Sequence, residues 1–418
     1  MDITALAKSA RAASRRLAHL NTATKNATLK TLAELLEREQ AAILEANRQD
    51  VAAARDAGLA SPRLQRLALN ADGVAQLARG VRQVADLPDP IGEVVRTSTV
   101  ASGLNVRKVR APLGVIAMIY EARPGVTIDA FALCFKAGNA CILKGGKEAA
   151  ATNEALATVA KAALSAHHAL ADTIVNVSGL SRVETEVLLT LSDSIDLVIP
   201  RGGVELIRFV HERSRIPTIQ HFQGICHIFV DETADLDKAI EICVTAKAGA
   251  PATCNAAECI LVHKNIADRF VPRMVSRFRD ASVEVRATPL VQALAGGSVV
   301  KPAAADDFGR EFLDLIVAMR IVGNIDEAID HIQTYGSNHT EAIITQDLGP
   351  GGSAEVFARR VQSSCVVVNA STRFNDGFQL GLGAEIGIST SRIHAYGPMG
   401  LEELTTQRWI VVGDGQTR

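Results

Sequence analysis

The chain has 418 residues, more than one hydrophobic core usually supports, so two domains are expected, with room for a small third element. Hydrophobic residues make up 48%, charged residues 22%, and the net charge is -2, which excludes bulk attraction to nucleic acid or to an anionic membrane. Seven cysteines, odd in number, scattered through apolar runs and lacking a CxxC pair, argue against a disulfide framework and against a zinc site of that type.

The first run, MDITALAKSARAASRRLAHL, is an amphipathic Ala/Arg pattern that continues into the next helix and has no apolar signal core. It reads as an ordinary first helix of a cytoplasmic protein. Residues 2–87 are helical by pattern, with apolar side chains three and four apart over 28–53 and punctuation at Gly58, Ser61 and Pro62. Residues 94–100 and 105–109 are short, β-branched and alternating, which predicts a hairpin.

From Gly114 strands and helices alternate: strands at 115–120, 140–143, 173–177 and 197–199, with helices at 126–137, 147–166 and 181–191 between them. That order implies a parallel, doubly wound sheet. A second alternating block opens with the strand 225–230. Residues 295–309, rich in Ala and Gly, read as a loop and as a mobile surface segment.

Cys254 lies in GAPATCN, between the helical stretch 236–247 and the strand-like run 258–263. A thiol on a short Gly/Pro loop between two regular elements is held firmly and stays reachable, as a nucleophile must be. A lone cysteine is more often a small buried hydrophobe, so the remaining motifs decide the matter. Two Gly-rich cationic turns lie where strands pass into helices: LKGGKE, with Lys144, Gly145, Gly146 and Lys147, and PRGG, Pro200, Arg201, Gly202 and Gly203. Free amides and the helix dipole favour an anion at such turns, so the pair suggests a nucleotide, although neither is a GxGxxG fingerprint.

The runs APLGVIAMIYEARPGVTIDA, KAGNACILKGGKEA, IDLVIPRGG, GICHIFVDETADL, APATCNAAECILVH, YGSNHTEAIIT, GLGAEIGIST and GPMGLEELTT resemble, in order and over essentially the whole chain, the gamma-glutamyl phosphate reductase family of the aldehyde dehydrogenase superfamily. The resemblance implies an aldehyde-dehydrogenase-like α/β fold: an NADP-binding domain over 1–223, a catalytic domain over 224–395, and a segment 396–418 that joins the hairpin 94–109 in a small oligomerisation sheet. It implies NADPH-dependent reduction of a glutamyl phosphate to the semialdehyde, in proline biosynthesis, with Cys254 as nucleophile. Lys144 takes the place of the superfamily's ribose-contacting lysine. Lys147 stands where many NAD enzymes carry an acid, which suits a 2'-phosphate. Glu311 in FGREFLDL corresponds to the glutamate on the nicotinamide ribose. Expected partners are a small-molecule substrate, a second copy in a dimer or tetramer, and, by family analogy, glutamate 5-kinase.

The stretch corresponding to the water-activating glutamate of acid-forming aldehyde dehydrogenases is His221, Phe222, Gln223, Gly224, Ile225, without a carboxylate, so phosphate is the expected partner of the acyl enzyme. The chain departs from the family at Gly125, where an Asn is usual, and at Ala250, where an Arg is usual. Glu121, Arg123, Asn255 and Arg373 are candidate substrate ligands, and structural ion pairs would look the same for the charged three. His227 and His263 read as core histidines without metal-ligand spacing. Alternatives are a dehydrogenase for another acyl phosphate or semialdehyde and a weakly catalytic metabolite-binding protein. A thiol hydrolase is disfavoured because no His/Asn pair neighbours Cys254 in sequence.

Overall fold

Five helices precede the first strand: α1 (Ile3–Leu17), α2 (Thr22–Arg38), α3 (Gln40–Asp56), α4 (Ser61–Leu67) and α5 (Ala71–Asp86). Asp2, Asn21 and Asn70 cap α1, α2 and α5 by accepting from the amides of Ala5, Thr24 and Gly73. The computed structural model describes residues 2–296 and 300–418, which divide into two compact units. Unit 1 is Met1–Gln220, Gly381–Gly387 and Met399–Arg418, and unit 2 is His221–Leu380 and Ile388–Pro398.

In unit 1 the hairpin strands β1 (Val94–Thr99) and β2 (Asn105–Pro112) are followed by β3 (Val115–Tyr120), α6 (Val126–Lys136), β4 (Ala140–Lys144), α7 (Ala150–Ala166), β5 (Ile174–Asn176), α8 (Arg182–Leu188), β6 (Leu197–Arg201) and α9 (Val204–Arg213). The last four strands are parallel in the order β5-β4-β3-β6. All six residues of β3 are buried, as a strand covered on both faces requires. Ile3, Ala7 and Ala10, three and four apart on α1, pack against Val115, Ala117 and Ile119 of that strand. The helix expected from Lys147 opens with a separate 3-10 turn, Lys147–Ala149. The one expected over 181–191 is shorter, starting from a Ser181/Glu184 capping box and ending at Leu188.

In unit 2 come β7 (Cys226–Val230), α10 (Leu236–Ala248), β8 (Ala257–His263), α11 (Ala267–Asp280), β9 (Glu284–Ala287), α12 (Pro289–Leu294), β10 (Lys301–Pro302), β11 (Ile316–Val322), α13 (Ile325–Tyr335), β12 (Thr340–Ile344), α14 (Ser353–Arg360) and β13 (Cys365–Val368). They form one parallel sheet in the order β10-β9-β11-β8-β7-β12-β13. Its two faces follow the strand alternation. Ile228, Val230, Ile260 and Val262 meet Ile240, Phe270 and Met274 on one side, while Phe229, Cys259 and Leu261 meet Ile329, Ile332 and Phe357 on the other.

Of the loop expected over 295–309, residues 297–299 lie outside the described residues, 301–302 form β10, and 307–309 a 3-10 turn. Glu311 sits in an irregular segment: Leu313 takes a positive φ of 53° and β11 begins three residues later.

The C-terminal strand β14 (Thr405–Val412) runs antiparallel to β2 in the order β1-β2-β14, so the small sheet does join it to the hairpin. Its partner on that edge is therefore the chain's own β2. Trp409, Val411 and Val412 remain exposed. No helix among the described residues is long and apolar enough to cross a membrane.

Candidate active site

In unit 2, α10 stops at Gly249, and the chain turns tightly before β8. Thr253 donates through its amide and hydroxyl to Ala250 O, at 3.3 and 2.8 Å, and Ala256 N-H donates to Thr253 O at 3.0 Å. Cys254 is presented on this turn with partial exposure, whereas Cys134, Cys141, Cys226, Cys243 and Cys259 are buried. Burial raises all five of those thiols, Cys134 to about 12, and also that of the half-buried Cys365.

The segment expected to replace the water-activating glutamate packs directly against this turn. A Cβ at Gly224 would stand 1.9 Å from Cys254 O, so only glycine lets the two backbones pass. Gly224 N-H donates to Glu311 Oε1 at 2.9 Å, and Ile225 N-H to Ser337 Oγ at 2.8 Å. Glu311 thus lies beside the support of the Cys254 turn, with its carboxyl raised above the usual range by burial against the opposing effects of this bond and Lys247.

Two histidines converge on Cys254: one ligand atom from each of His221, Cys254 and His339 lies within 4.8 Å of the others. Distance along the sequence concealed this, and the argument that no histidine neighbours the thiol does not hold in space. His221 Nδ1 is 2.9 Å from Ile388 O, an acceptor, so Nδ1 carries the proton and Nε2 the lone pair. His339 Nδ1 is 2.7 Å from Thr340 Oγ1, which also accepts from Asn375 Nδ2 at 2.7 Å. Cys226 Sγ also lies 3.7 Å from His339 Nδ1, and the Cys226 thiol donates to Cys254 O at 3.3 Å. His339 Nε2 is buried without a hydrogen-bond partner, and the tautomer in which Nδ1 donates to Thr340 Oγ1 leaves Nε2 as an acceptor. Burial and His221 push His339 down to about 3, so the ring is neutral. A polar run, Ser337 to Glu341, opening the otherwise apolar β12, was the sequence signal for this site.

Asn255 donates from Nδ2 to Asn375 O at 3.0 Å and Arg373 O at 3.4 Å, while Thr372 Oγ1 donates to Asn255 O at 2.7 Å. These bonds tie the Cys254 turn to the segment 371–375. Asn255 Oδ1 is buried without a partner. Arg373 Nη1 donates to Thr253 Oγ1 at 2.6 Å, so its guanidinium borders the same turn. His227 is fully buried, its Nδ1 2.9 Å from Glu341 Oε2, and His263 Nδ1 accepts from Asn265 N-H at 3.2 Å. Both are structural, although His227 also converges with Cys259 and His331 within 4.8 Å, a grouping that sequence spacing did not reveal.

In unit 1, the LKGGKE turn follows β4, with Lys144 half-buried and Lys147 exposed. Desolvation lowers the Lys144 ammonium, with Glu148 opposing. A Cβ at Gly145 would sit 2.1 Å from Asn153 Nδ2, which Ser178 Oγ holds at 2.9 Å. The free helix N-terminus expected there is already taken. Asp50 accepts from the amides of Ala151 and Thr152 at 3.3 and 2.7 Å. At the PRGG turn, Glu121 Oε2 accepts from Gly203 N-H at 3.3 Å, which places Glu121 on the start of α9. Pro200 and Arg201 end β6. Arg123 is exposed, between β3 and α6, and Gly125 offers α6 no side-chain cap. The first amides of α7 are therefore not open to a pyrophosphate, and Lys144 and Lys147 are the cations at this turn.

The sequence profile of the aldehyde dehydrogenase family matches residues 1–314. The gamma-glutamyl phosphate reductase of Salinibacter ruber is 49% identical over 418 residues, 100% of this chain and 95% of that protein. The crystal structure of the gamma-glutamyl phosphate reductase of Thermotoga maritima superposes with a TM-score of 0.97 at 41% identity, covering 100% of both chains. An acetylating aldehyde dehydrogenase from Geobacillus thermoglucosidasius shares the fold at a TM-score of 0.68 and 18% identity, covering 100% of this chain and 97% of its own. On this full-length likeness, the chain belongs to the gamma-glutamyl phosphate reductases of the aldehyde dehydrogenase family.

Proposed function

We propose that the chain reduces L-gamma-glutamyl 5-phosphate to L-glutamate 5-semialdehyde with NADPH, releasing phosphate, in proline biosynthesis. The observation that carries the reading is a partly exposed Cys254 on a braced turn, in a chain of this family. The Cys254 thiol gives its proton to His221, the histidine beside it other than the proton-refusing His339, attacks the acyl carbon, and expels phosphate, leaving a thioester. When bound, the reduced nicotinamide supplies the hydride that converts this thioester to the aldehyde. The Cys254 amide, at the entry to β8, is the proposed oxyanion donor.

Lys144, Gly145, Gly146 and Lys147 hold the adenosine end, with Pro200, Arg201, Gly202, Gly203 and Glu311 completing the cofactor set. Arg373, Arg123, Glu121 and Asn255 take the carboxylate, phosphate and amino groups of the substrate. A second copy pairs through the small sheet, and the unstable acyl phosphate makes coupling to glutamate 5-kinase in the cytoplasm advantageous.

The test is phosphate release from freshly generated acyl phosphate, with and without NADPH. One equivalent per Cys254 without cofactor, and steady release with it, are expected. Steady release without NADPH would make the chain a hydrolase, and an undiminished burst in Cys254→Ala would remove the thiol from the mechanism.

A further inference from the structure

We infer that His221, Cys254 and His339 form a binding site for a thiophilic divalent cation, of which zinc is the type, and that its occupation reversibly disables the thiol. The three ligand atoms lie within 4.8 Å of one another. His221 Nδ1 faces Ile388 O and His339 Nδ1 faces Thr340 Oγ1, so in the tautomer protonated at Nδ1 each ring offers a metal the lone pair of Nε2. An oxygen on the far ring nitrogen is the outer support that metal-bound imidazoles carry, because it fixes the tautomer and the ring plane.

His339 Nε2 is buried with no hydrogen-bond partner, and the ring itself is fully enclosed. A buried polar nitrogen left unpaired is unfavourable, and a cation held by all three atoms would give it a partner. Imidazole nitrogen and thiolate sulfur together are donors that zinc takes at sites with three protein ligands and one open position.

The other converging trio, His227, Cys259 and His331, lacks this property. Arg320 Nη1 lies 3.4 Å from His331 Nδ1 and can only donate, so Nε2 of His331 keeps its proton, 3.8 Å from Cys259 Sγ, and cannot bind metal. All three of its members are also fully enclosed.

The binding step exchanges a proton for the metal. The Cys254 S-H bond breaks, the S-metal bond forms, the proton leaves to solvent, and no electron is transferred. Binding is defined by geometry alone. Inhibition rests additionally on Cys254 being the nucleophile, as proposed above.

The test therefore reads binding without turnover. Untagged, chelator-treated full-length protein is titrated with cobalt(II), and the thiolate-to-cobalt charge-transfer absorbance is followed. One cobalt per chain, displaced by zinc, is expected. The band should vanish in Cys254→Ser and persist in Cys259→Ser. His221→Ala and His339→Ala should each weaken cobalt binding by at least about tenfold, the lower end of what losing even an outer support costs. A band that survives Cys254→Ser, or wild-type affinity in both histidine variants, would overturn the site. Should either variant misfold by circular dichroism, the wild-type protein suffices: zinc must slow iodoacetamide modification of Cys254 and not of Cys365, and equal rates with and without zinc would overturn it. If cobalt binds as expected but zinc leaves reductase activity intact, the site stands and the role of Cys254 falls.

Discussion

Gly224 shows how much of this active site depends on a single absent side chain. Its missing Cβ is what permits the backbone to lie against Cys254 O, and the same residue's amide is bonded to Glu311. Gly224→Ala should push the Cys254 turn away, and because a shift of about 1 Å costs roughly 100-fold in rate, kcat is expected to drop by about that factor. Steady-state kinetics on the folded variant decide this; a wild-type kcat would mean that the contact does not position the thiol. Cys254→Ser should abolish reduction while cofactor binding, followed by NADPH fluorescence, persists. Ala at Cys226 or Cys259 should act mainly on stability, because both are fully buried.

His331 carries a pH dependence of its own. Burial, with His227 and Arg320 adding to it, pushes the ring from 6.5 down to about 3, so folding favours the neutral form. Its contribution is complete above about 6.5 and is lost as pH falls toward about 3, since the unfolded chain then binds a proton that the native one refuses. Within that window each such histidine adds a slope of about 1.4 kcal/mol per pH unit. Urea unfolding of His331→Gln between about pH 6 and 4 should therefore show a shallower loss of stability than wild type. An unchanged slope would mean that the native ring protonates freely.

At the scale of elements, β4, its glycine turn and α7 form the part of the chain proposed above to decide cofactor choice. Asp50 occupies the first amides of α7, so an adenosine phosphate near this turn depends on Lys144 and Lys147. A charge-assisted contact is worth about 1.5 to 3 kcal/mol, so Lys147→Glu should lower the NADPH-to-NADH ratio of kcat/KM about tenfold or more. A ratio that does not move would place the 2'-phosphate elsewhere.

The sequence announced β3, β4 and β6 through unbroken apolar runs, and the Gly-rich turns through their composition. It could not announce Asp50, about a hundred residues upstream of the amides it caps, because nothing local marks the far partner of a helix end. Glu311 was legible as a residue but its irregular setting was not, since the positive φ at Leu313 goes with the entry into β11. His221 and His339 escaped for the same reason as Asp50. The parallel sheet brings the start of β12 and the entry to β7 together with the Cys254 turn, across 118 residues of chain from His221 to His339.

At the scale of the whole molecule, the reaction is determined by what surrounds the acyl enzyme. Unit 2 places at Cys254 two imidazoles and an asparagine already bonded to main-chain carbonyls. Its nearby carboxylate, Glu311, is bonded to Gly224 N-H, and no carboxylate stands at 221–225. A thioester at Cys254 should consequently be attacked poorly by water. Phosphate, a better nucleophile that an arginine at the site can hold, should attack it well. Run backward with the semialdehyde and NADP, steady turnover should require inorganic phosphate and yield an acyl phosphate that hydroxylamine traps as the hydroxamate. With phosphate rigorously removed, only a burst of NADPH equal to the enzyme present is expected. Sustained phosphate-independent formation of free glutamate would show that water is activated here, and loss of that turnover in Glu311→Gln would identify the base. The chain would then act as an acid-forming dehydrogenase, despite belonging to a reductase family.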